Sequence, residues 1–155
     1  MKVWTYVIRV DDRGAPNFEP PETTLAVCKP NIRKKAQPGE LVLAFNGKDL
    51  NRKEPDSVRW AGVVSEFIPL KDYWNDPRYE GKKPDAFGGQ RRGGREDNIY
   101  RPTPEGRLKQ VKNDKHEPDF TENDISGVNV LVLNPSWYFG STVAVLPEHF
   151  QVANG

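Results

Sequence analysis

Apolar residues cluster most clearly in a strand–helix–strand unit between positions 23 and 45. Residues 23–27 are β-branched and aliphatic, which is typical of a strand. Pro30 then fixes φ at a value that suits the first turn of a helix, and Pro38-Gly39 ends it. Residues 41–45, with the sequence LVLAF, predict a buried strand. The chain is therefore expected to be organised around a short helix packed on two apolar strands.

The predicted helix carries two stripes of different chemistry. Ile32 and Ala36 are four residues apart and form an apolar stripe, while Lys29 and Arg33 repeat that spacing with positive charge. No acidic residue occurs in segment 28–39. A helix start beside cations favours an anion, because its free N–H groups and its dipole both attract negative charge. The sequence predicts phosphate contacts for Lys29 and Arg33, with the alternative that the cations of this helix simply stay solvated.

Alternation of apolar and polar residues predicts further strands on both sides of this unit. Residues 3–10 form the first, with Trp4, Tyr6 and Ile8 on one face. Residues 70–76 predict a short helix. Strands are also predicted at residues 59–68 with a bulge at Gly62, at 97–101, 107–113 and 128–134, and one more can form before Pro147. The segments between them are predicted to be loops, at residues 11–22, 46–58, 80–96 and 113–127, with a ring-rich turn at 135–140.

Six or seven strands with two short helices predict an α+β fold. The apolar strands are expected to form a closed or nearly closed sheet, since closure removes exposed edges from a small domain. A length of 155 residues predicts a single domain, residues 1–155.

The charge and the cysteine content restrict the partners and the cellular compartment that are expected for this protein. The formal net charge is only +1, so no bulk attraction to nucleic acid or membrane is expected, although the basic and acidic segments are separated and allow one positive face. The single cysteine, Cys28, excludes an internal disulfide and suits a reducing compartment. Neither a signal peptide nor a membrane span is predicted. We expect a cytoplasmic protein without a membrane partner.

Several common catalytic motifs are missing from the sequence. There is no C-x-x-C, and His116 and His149 are too isolated to predict a metal site, so neither a metal nor an organic cofactor is expected. The segment FGGQRRGG, residues 87–94, matches no phosphate-binding motif and predicts a flexible loop. Cys28 is predicted to be a small buried residue, with the alternative that it pairs with a histidine as a nucleophile.

Four segments taken together resemble a known family. They are TLAVCKPNIRKKAQPGELV, LKDYWNDPRYEGKKPD, EDNIYR and DISGVNVLVLNPSWYFG. They resemble, in the same order, the nucleotide modification associated domain, type 2, which occurs in bacteria and phages. The helix followed by Pro-Gly-acid and an apolar strand is also similar to the PUA, ASCH and EVE group. That resemblance implies a small PUA-like β-barrel with two or more short helices and a link to modified nucleotides.

A base-recognising protein needs flat rings, edge-reading polar groups and cations for phosphate. The chain offers these as predicted base-binding residues Asp97, Asn98, Tyr100, Trp137, Tyr138 and Phe139, with Lys29 and Arg33 for phosphate. The alternative is that the rings are core residues and Asp97-Asn98 is a turn. Three consecutive rings on an extended segment cannot all face the core, since alternate side chains point in opposite directions.

These residues favour a module that binds a nucleotide or nucleic acid and recognises a modified base. Two other classes stay open. One is an enzyme acting on modified nucleotides, with Asp97 as general base or Cys28 as nucleophile. The other is a protein-interaction domain, which would present a flat apolar patch. The sequence does not distinguish DNA, RNA and free nucleotides, and it predicts no oligomeric state.

Overall fold

The computed structural model describes residues 1–11, 15–51, 53, 57–85, 95–113, 119, 121–140, 142 and 144–147. Short strands dominate this part of the chain. In order, the elements are β1 (Val3–Ile8), β2 (Thr23–Leu25), α1 (Pro30–Lys35), β3 (Leu41–Asn46), β4 (Val58–Pro69), α2 (Leu70–Tyr73), a 3₁₀ segment (Pro77–Lys82), β5 (Tyr100–Pro102), β6 (Leu108–Gln110), α3 (Thr121–Ile125) and β7 (Asn129–Tyr138).

Five strands form one mixed sheet in the order β1-β3-β4-β7-β2. β1 runs parallel to β3, and the other neighbours are antiparallel. The parallel pair requires a crossover, which the chain makes through β2 and α1. β5 and β6 form a separate two-stranded hairpin. The predicted α+β class is confirmed.

Both faces of the sheet are covered. Along β3, Val42 and Ala44 belong to a core that also contains Trp60 and Leu131, whereas Leu43 faces the opposite side. That opposite side carries two clusters, one around Leu43 at the β1–β3 end and one around Val130 and Val132 at the β7–β2 end. The alternation follows from the two-residue period of a strand. The predicted inward face of β1, with Trp4, Tyr6 and Ile8, packs against the first core.

The predicted bulge at Gly62 is confirmed, because the pairing of β4 with β7 shifts between Gly62 and Val64. A Cβ on Gly62 would lie 3.0 Å from the Leu133 Cβ, so glycine permits this close approach of the two strands.

Three segments differ from the sequence-based prediction. Residues 121–125, predicted within a polar loop, form α3, whose acidic first turn suits a helix start. The predicted ring-rich turn at 135–140 is wrong over most of its length, since β7 continues to Tyr138 through a cis Asn134-Pro135 bond. The strand expected before Pro147 reduces, within the described residues, to one bridge between Val58 and Ala144.

The two edges of the sheet approach each other without pairing. β1 and β2 are the edge strands, yet Tyr6 of β1 and Cys28, three residues after β2, line one cavity. Residues 15–18 span the seam between them, where Asn17 pairs with Thr24 of β2 and the Ala15 carbonyl lies 3.4 Å from the Tyr6 hydroxyl. Hydrogen bonds do not close the sheet into a barrel, so the closed barrel is not confirmed.

Within the described part of the chain, none of the helices has the length and apolar character needed to cross a bilayer.

Candidate functional site

A cavity of about 350 Å³ opens at the seam of the sheet. We call it the seam pocket, and its lining residues are Tyr6, Val7, Ile8, Arg9, Val10, Ala15, Cys28 and Lys29. Its volume lies at the lower end of the range for small-molecule sites, roughly 300–1,000 Å³. The pocket therefore suits one flat ring system with its substituents.

Lys29 and Tyr6 meet at this pocket. The Lys29 Nζ atom lies 4.4 Å from the centroid of the Tyr6 ring, within the range of a cation–π contact. Burial raises the pKa of the Tyr6 hydroxyl well above its ordinary value, so the ring stays neutral. Among the two predicted phosphate-binding residues, Lys29 is the one that lines the pocket.

The backbone that presents Lys29 is held in an unusual conformation. Cys28 and Lys29 have φ values of 57° and 47°, in the left-handed region that costs roughly 1–2 kcal/mol for a residue other than glycine. The Cys28 amide donates to Asp124 Oδ1 at 2.8 Å, and the Cys28 carbonyl accepts from Arg33 Nε at 2.7 Å. Asp124 and Arg33 therefore hold, from behind, the turn that presents Lys29 to Tyr6.

Arg33 is fully buried and donates to backbone carbonyls. Besides the Cys28 carbonyl, its guanidinium donates to the carbonyl of Asn129 at 2.9 Å and to that of Asp124. Burial lowers the pKa of Arg33, and the Asp124 carboxylate opposes that shift. These contacts give Arg33 a structural role beneath Lys29, while its predicted phosphate contact stays a prediction.

Glycine at position 127 makes room for this guanidinium. A Cβ there would lie 2.6 Å from both Cζ and Nη2 of Arg33, closer than real contacts allow. Gly127→Ala is therefore expected to displace Arg33 and lower the free energy of unfolding by about 1–3 kcal/mol, the usual cost of overpacking. Urea denaturation measures this loss, with Ser126→Ala as the exposed neighbouring control. A Gly127→Ala protein as stable as that control would contradict the close packing of Arg33.

Asp97 lies in a second buried network, behind residues 15–18. Its carboxylate accepts from the Thr24 hydroxyl at 2.7 Å and the Tyr73 hydroxyl at 3.0 Å. The buried Lys82 ammonium donates to the Asn17 carbonyl at 3.2 Å and to the Thr24 hydroxyl at 2.8 Å. Burial raises the pKa of Asp97, whereas Lys82 and the hydrogen bonds from Thr24, Tyr73 and Asn17 lower it. Since every one of these contacts is a donor, the geometry fits the ionised carboxylate.

Asn98 and Tyr100 are also buried. The Asn98 amide nitrogen donates to the Tyr73 carbonyl at 3.1 Å, and its side-chain oxygen has no partner among the described residues. The Tyr100 hydroxyl donates to Asp124 Oδ2 at 2.9 Å, which joins it to the support of Cys28. Burial raises the pKa of this hydroxyl. The two residues lie behind the seam pocket rather than on its surface.

The three consecutive rings are divided between the faces of the sheet. Trp137 is 46% exposed and pairs with Ala61, which belongs to the cluster around Leu43. Tyr138 points to the other face of the sheet, where it packs on Phe18 in the first core. Phe139 packs against the cluster around Leu43. The predicted alternation is confirmed. Trp137 and Tyr6 consequently lie on opposite faces and cannot contact the same base.

Sequence reasoning missed residues that tertiary structure brings to the site. Tyr6 and Arg9 were assigned only to a strand, Lys82 to a loop, and Asp124 to a polar segment. An acid in the first turn of a helix was the one available signal for Asp124. The described residues contain no group of three or more histidine, cysteine or acidic side chains arranged to hold a metal. His116, His149 and the loop at 87–94 lie outside the described residues.

The fold is a small α+β fold built on a mixed sheet. The site is a pocket at the seam of that sheet, lined by a cation and an aromatic ring. The chain belongs to the family described as nucleotide modification associated domain 2, whose sequence model matches residues 1–154. The family expected from the resemblance is confirmed, and with it an association with nucleotide modification. No curated protein and no solved structure is significantly similar to the chain.

Proposed function

We propose that this protein is a binding module that recognises a modified base in a nucleotide or nucleic acid, and that the base enters the seam pocket. The observation that carries the proposal is the juxtaposition of Lys29 and Tyr6 at the pocket. A nucleotide combines a flat base with an anionic phosphate, and a ring beside a cation offers a partner for each. The family's association with nucleotide modification supports the same class of ligand.

The edge position of β1 supplies groups that can read a base. Among the described strands, β1 has a single neighbour, β3, so its other side carries backbone N–H and C=O groups that none of these strands uses. Residues 6–10 line the pocket along this edge. In the proposal, these backbone groups form the hydrogen bonds to the base edge. Asp97, Asn98, Tyr100 and Arg33 then act from behind, by fixing the two walls of the pocket.

The proposal includes a small PUA-like barrel as a single domain over residues 1–155. The approach of the two sheet edges at the seam supports it, because Tyr6 on one edge strand and Cys28, just after the other, line the same cavity. A competing arrangement keeps the predicted stacking role of the ring-rich segment. The base would then stack on the exposed Trp137, on the opposite face of the sheet.

Titration calorimetry with nucleoside monophosphates, carrying ordinary bases and 5-substituted pyrimidines, tests the proposal. Lys29→Gln is expected to weaken binding by about 10- to 150-fold for every nucleotide that binds and to flatten the salt dependence, since a charge-assisted hydrogen bond contributes roughly 1.5–3 kcal/mol. Lys71→Gln, on exposed helix α2, removes the same charge elsewhere and should change nothing.

Trp137→Ala separates the two arrangements. It should leave binding unchanged if the base enters the seam pocket. A loss of about 1–3 kcal/mol, the range for a stacking ring, would place the base on the opposite face instead. Absence of binding to every nucleotide tested would refute base recognition and favour a protein-interaction domain.

A further inference from the structure

A second cation–ring pair lies next to the first along β1. The Lys2 Nζ atom is 3.7 Å from the centroid of the Trp4 ring, just as Lys29 lies over Tyr6. Trp4 and Tyr6 are two residues apart on one strand, and both pack partly against the first core. The rings therefore hold two ammonium groups in a row along the edge of the sheet.

The two rings that hold these ammonium groups are spaced at an interval that suits a repeating anion. Residues two apart on a strand are separated by roughly 6.6 Å, since a strand rises about 3.3 Å per residue. That distance is about twice the 3.4 Å rise per nucleotide of a stacked strand. It therefore fits the phosphates of a single strand drawn out nearly to full length.

The row continues past the pocket with a third cation. Arg9 is exposed, directly follows β1 and lines the seam pocket. Among the described residues, Lys2, Arg9 and Lys29 form no ion pair. Glu40, an acid beside this row, accepts hydrogen bonds from the Trp4 indole at 2.6 Å and from the Gln37 amide. Its pKa is lowered chiefly by the Trp4 bond and less by Lys2.

We infer that the ligand is a single strand of nucleic acid, whose backbone follows β1 from Arg9 past Lys29 to Lys2 while one base occupies the seam pocket. The inference rests on the function proposed above and specifies its ligand. A mononucleotide has one phosphate group and would use only the cations at the pocket, which leaves Lys2 without a role. Cations in a line with interleaved rings are the arrangement by which proteins track single strands.

A duplex fits this arrangement less well. A paired base cannot enter a small pocket unless it is first extruded, which costs a few kcal/mol. The rings that hold Lys2 and Lys29 also lie two residues apart on one strand, roughly 6.6 Å, which is longer than the rise per nucleotide of a stacked helix. We therefore assign a single-stranded ligand, and a duplex of the same length serves as the comparison in the binding test.

The test measures the binding of fluorescently labelled hexamers of thymidylate, adenylate and cytidylate by fluorescence anisotropy at several salt concentrations. The binding of the corresponding mononucleotides is measured by calorimetry. Phosphate contacts do not depend on base modification, so unmodified hexamers are adequate probes. We expect hexamers to bind at least tenfold more tightly than mononucleotides. Lys2→Gln should lower the slope of log K against log salt by about 0.7 for hexamers, the contribution of one phosphate, and leave mononucleotide binding unchanged.

Lys71→Gln is the matched control, because Lys71 is exposed and lies on α2, which packs against β4, β5 and β7. If mononucleotides bind and hexamers bind no more tightly, or if Lys2→Gln behaves like Lys71→Gln, the strand path is wrong while the base pocket stands. If a duplex of the same length binds as tightly as the single strand, the assignment to single strands is overturned. If neither hexamers nor any mononucleotide binds, both this inference and the proposed function are wrong.

Discussion

Replacing Arg33 by leucine is expected to lower the free energy of unfolding by about 3–5 kcal/mol, the usual cost of removing one partner of a buried charge pair. The change removes the favourable electrostatic interaction between the Arg33 guanidinium and the buried Asp124 carboxylate. It also removes the donors to the carbonyls of Cys28, Asn129 and Asp124. Chemical denaturation followed by tryptophan fluorescence measures the loss.

Two variants sharpen this prediction. Lys34→Leu changes the adjacent exposed cation and should shift stability by no more than about 0.5 kcal/mol. Arg33→Lys keeps the charge but cannot reproduce the planar fork of donors, so it should fall between the two. An Arg33→Leu protein that folds as stably as Lys34→Leu and has merely lost affinity for nucleotides would restore the direct phosphate contact predicted from sequence.

Asp97→Ala is expected to cost a similar amount, about 3–5 kcal/mol, for the corresponding reason. It removes a carboxylate whose charge favours the buried Lys82 ammonium, and it removes the acceptor of the Thr24 and Tyr73 hydroxyls. Loss of Asp97 should also loosen residues 15–18, because the Asn17 side chain donates to Asp97 at 3.4 Å. Thermal and chemical denaturation should agree on the direction.

Asp72→Ala, at an exposed acid on α2, is the control and should be nearly neutral. The experiment also tests the role of Asp97 predicted from sequence. A residue that only reads a base, or only abstracts a proton, can be removed without unfolding the protein. If Asp97→Ala is as stable as Asp72→Ala, the buried network is not what holds this wall of the pocket.

Both predictions describe a site built in two layers. Lys29, Tyr6 and the edge of β1 line the seam pocket, while Arg33 with Asp124 and Asp97 with Lys82 lie buried behind its walls. Variants of the lining residue Lys29 should therefore change binding at constant stability, and variants of the buried pairs should change stability first. Measurements of both quantities on each variant distinguish the layers.

The sequence by itself determined the elements and the family. Strands β1, β2, β3 and β4, helices α1 and α2, and the bulge at Gly62 all follow from local signals, namely apolar alternation, the proline that starts α1 and the glycine inside β4. Such signals act within a few residues of the chain, so one sequence is sufficient to read them. The α+β class and the link to nucleotide modification could be predicted for the same reason.

The tertiary structure alone decided which charges line the pocket and which support it. Lys29 and Arg33 are four residues apart and look equivalent in sequence, yet one lies over Tyr6 and the other is buried against Gly127. Asp124 is distant from Cys28 in the chain, and only the packing of α3 brings its carboxylate to the Cys28 amide. Local periodicity carries no information on contacts between distant segments. Such contacts depend on how the two edges of the sheet approach each other, and that approach brings Cys28 and Lys29 beside β1.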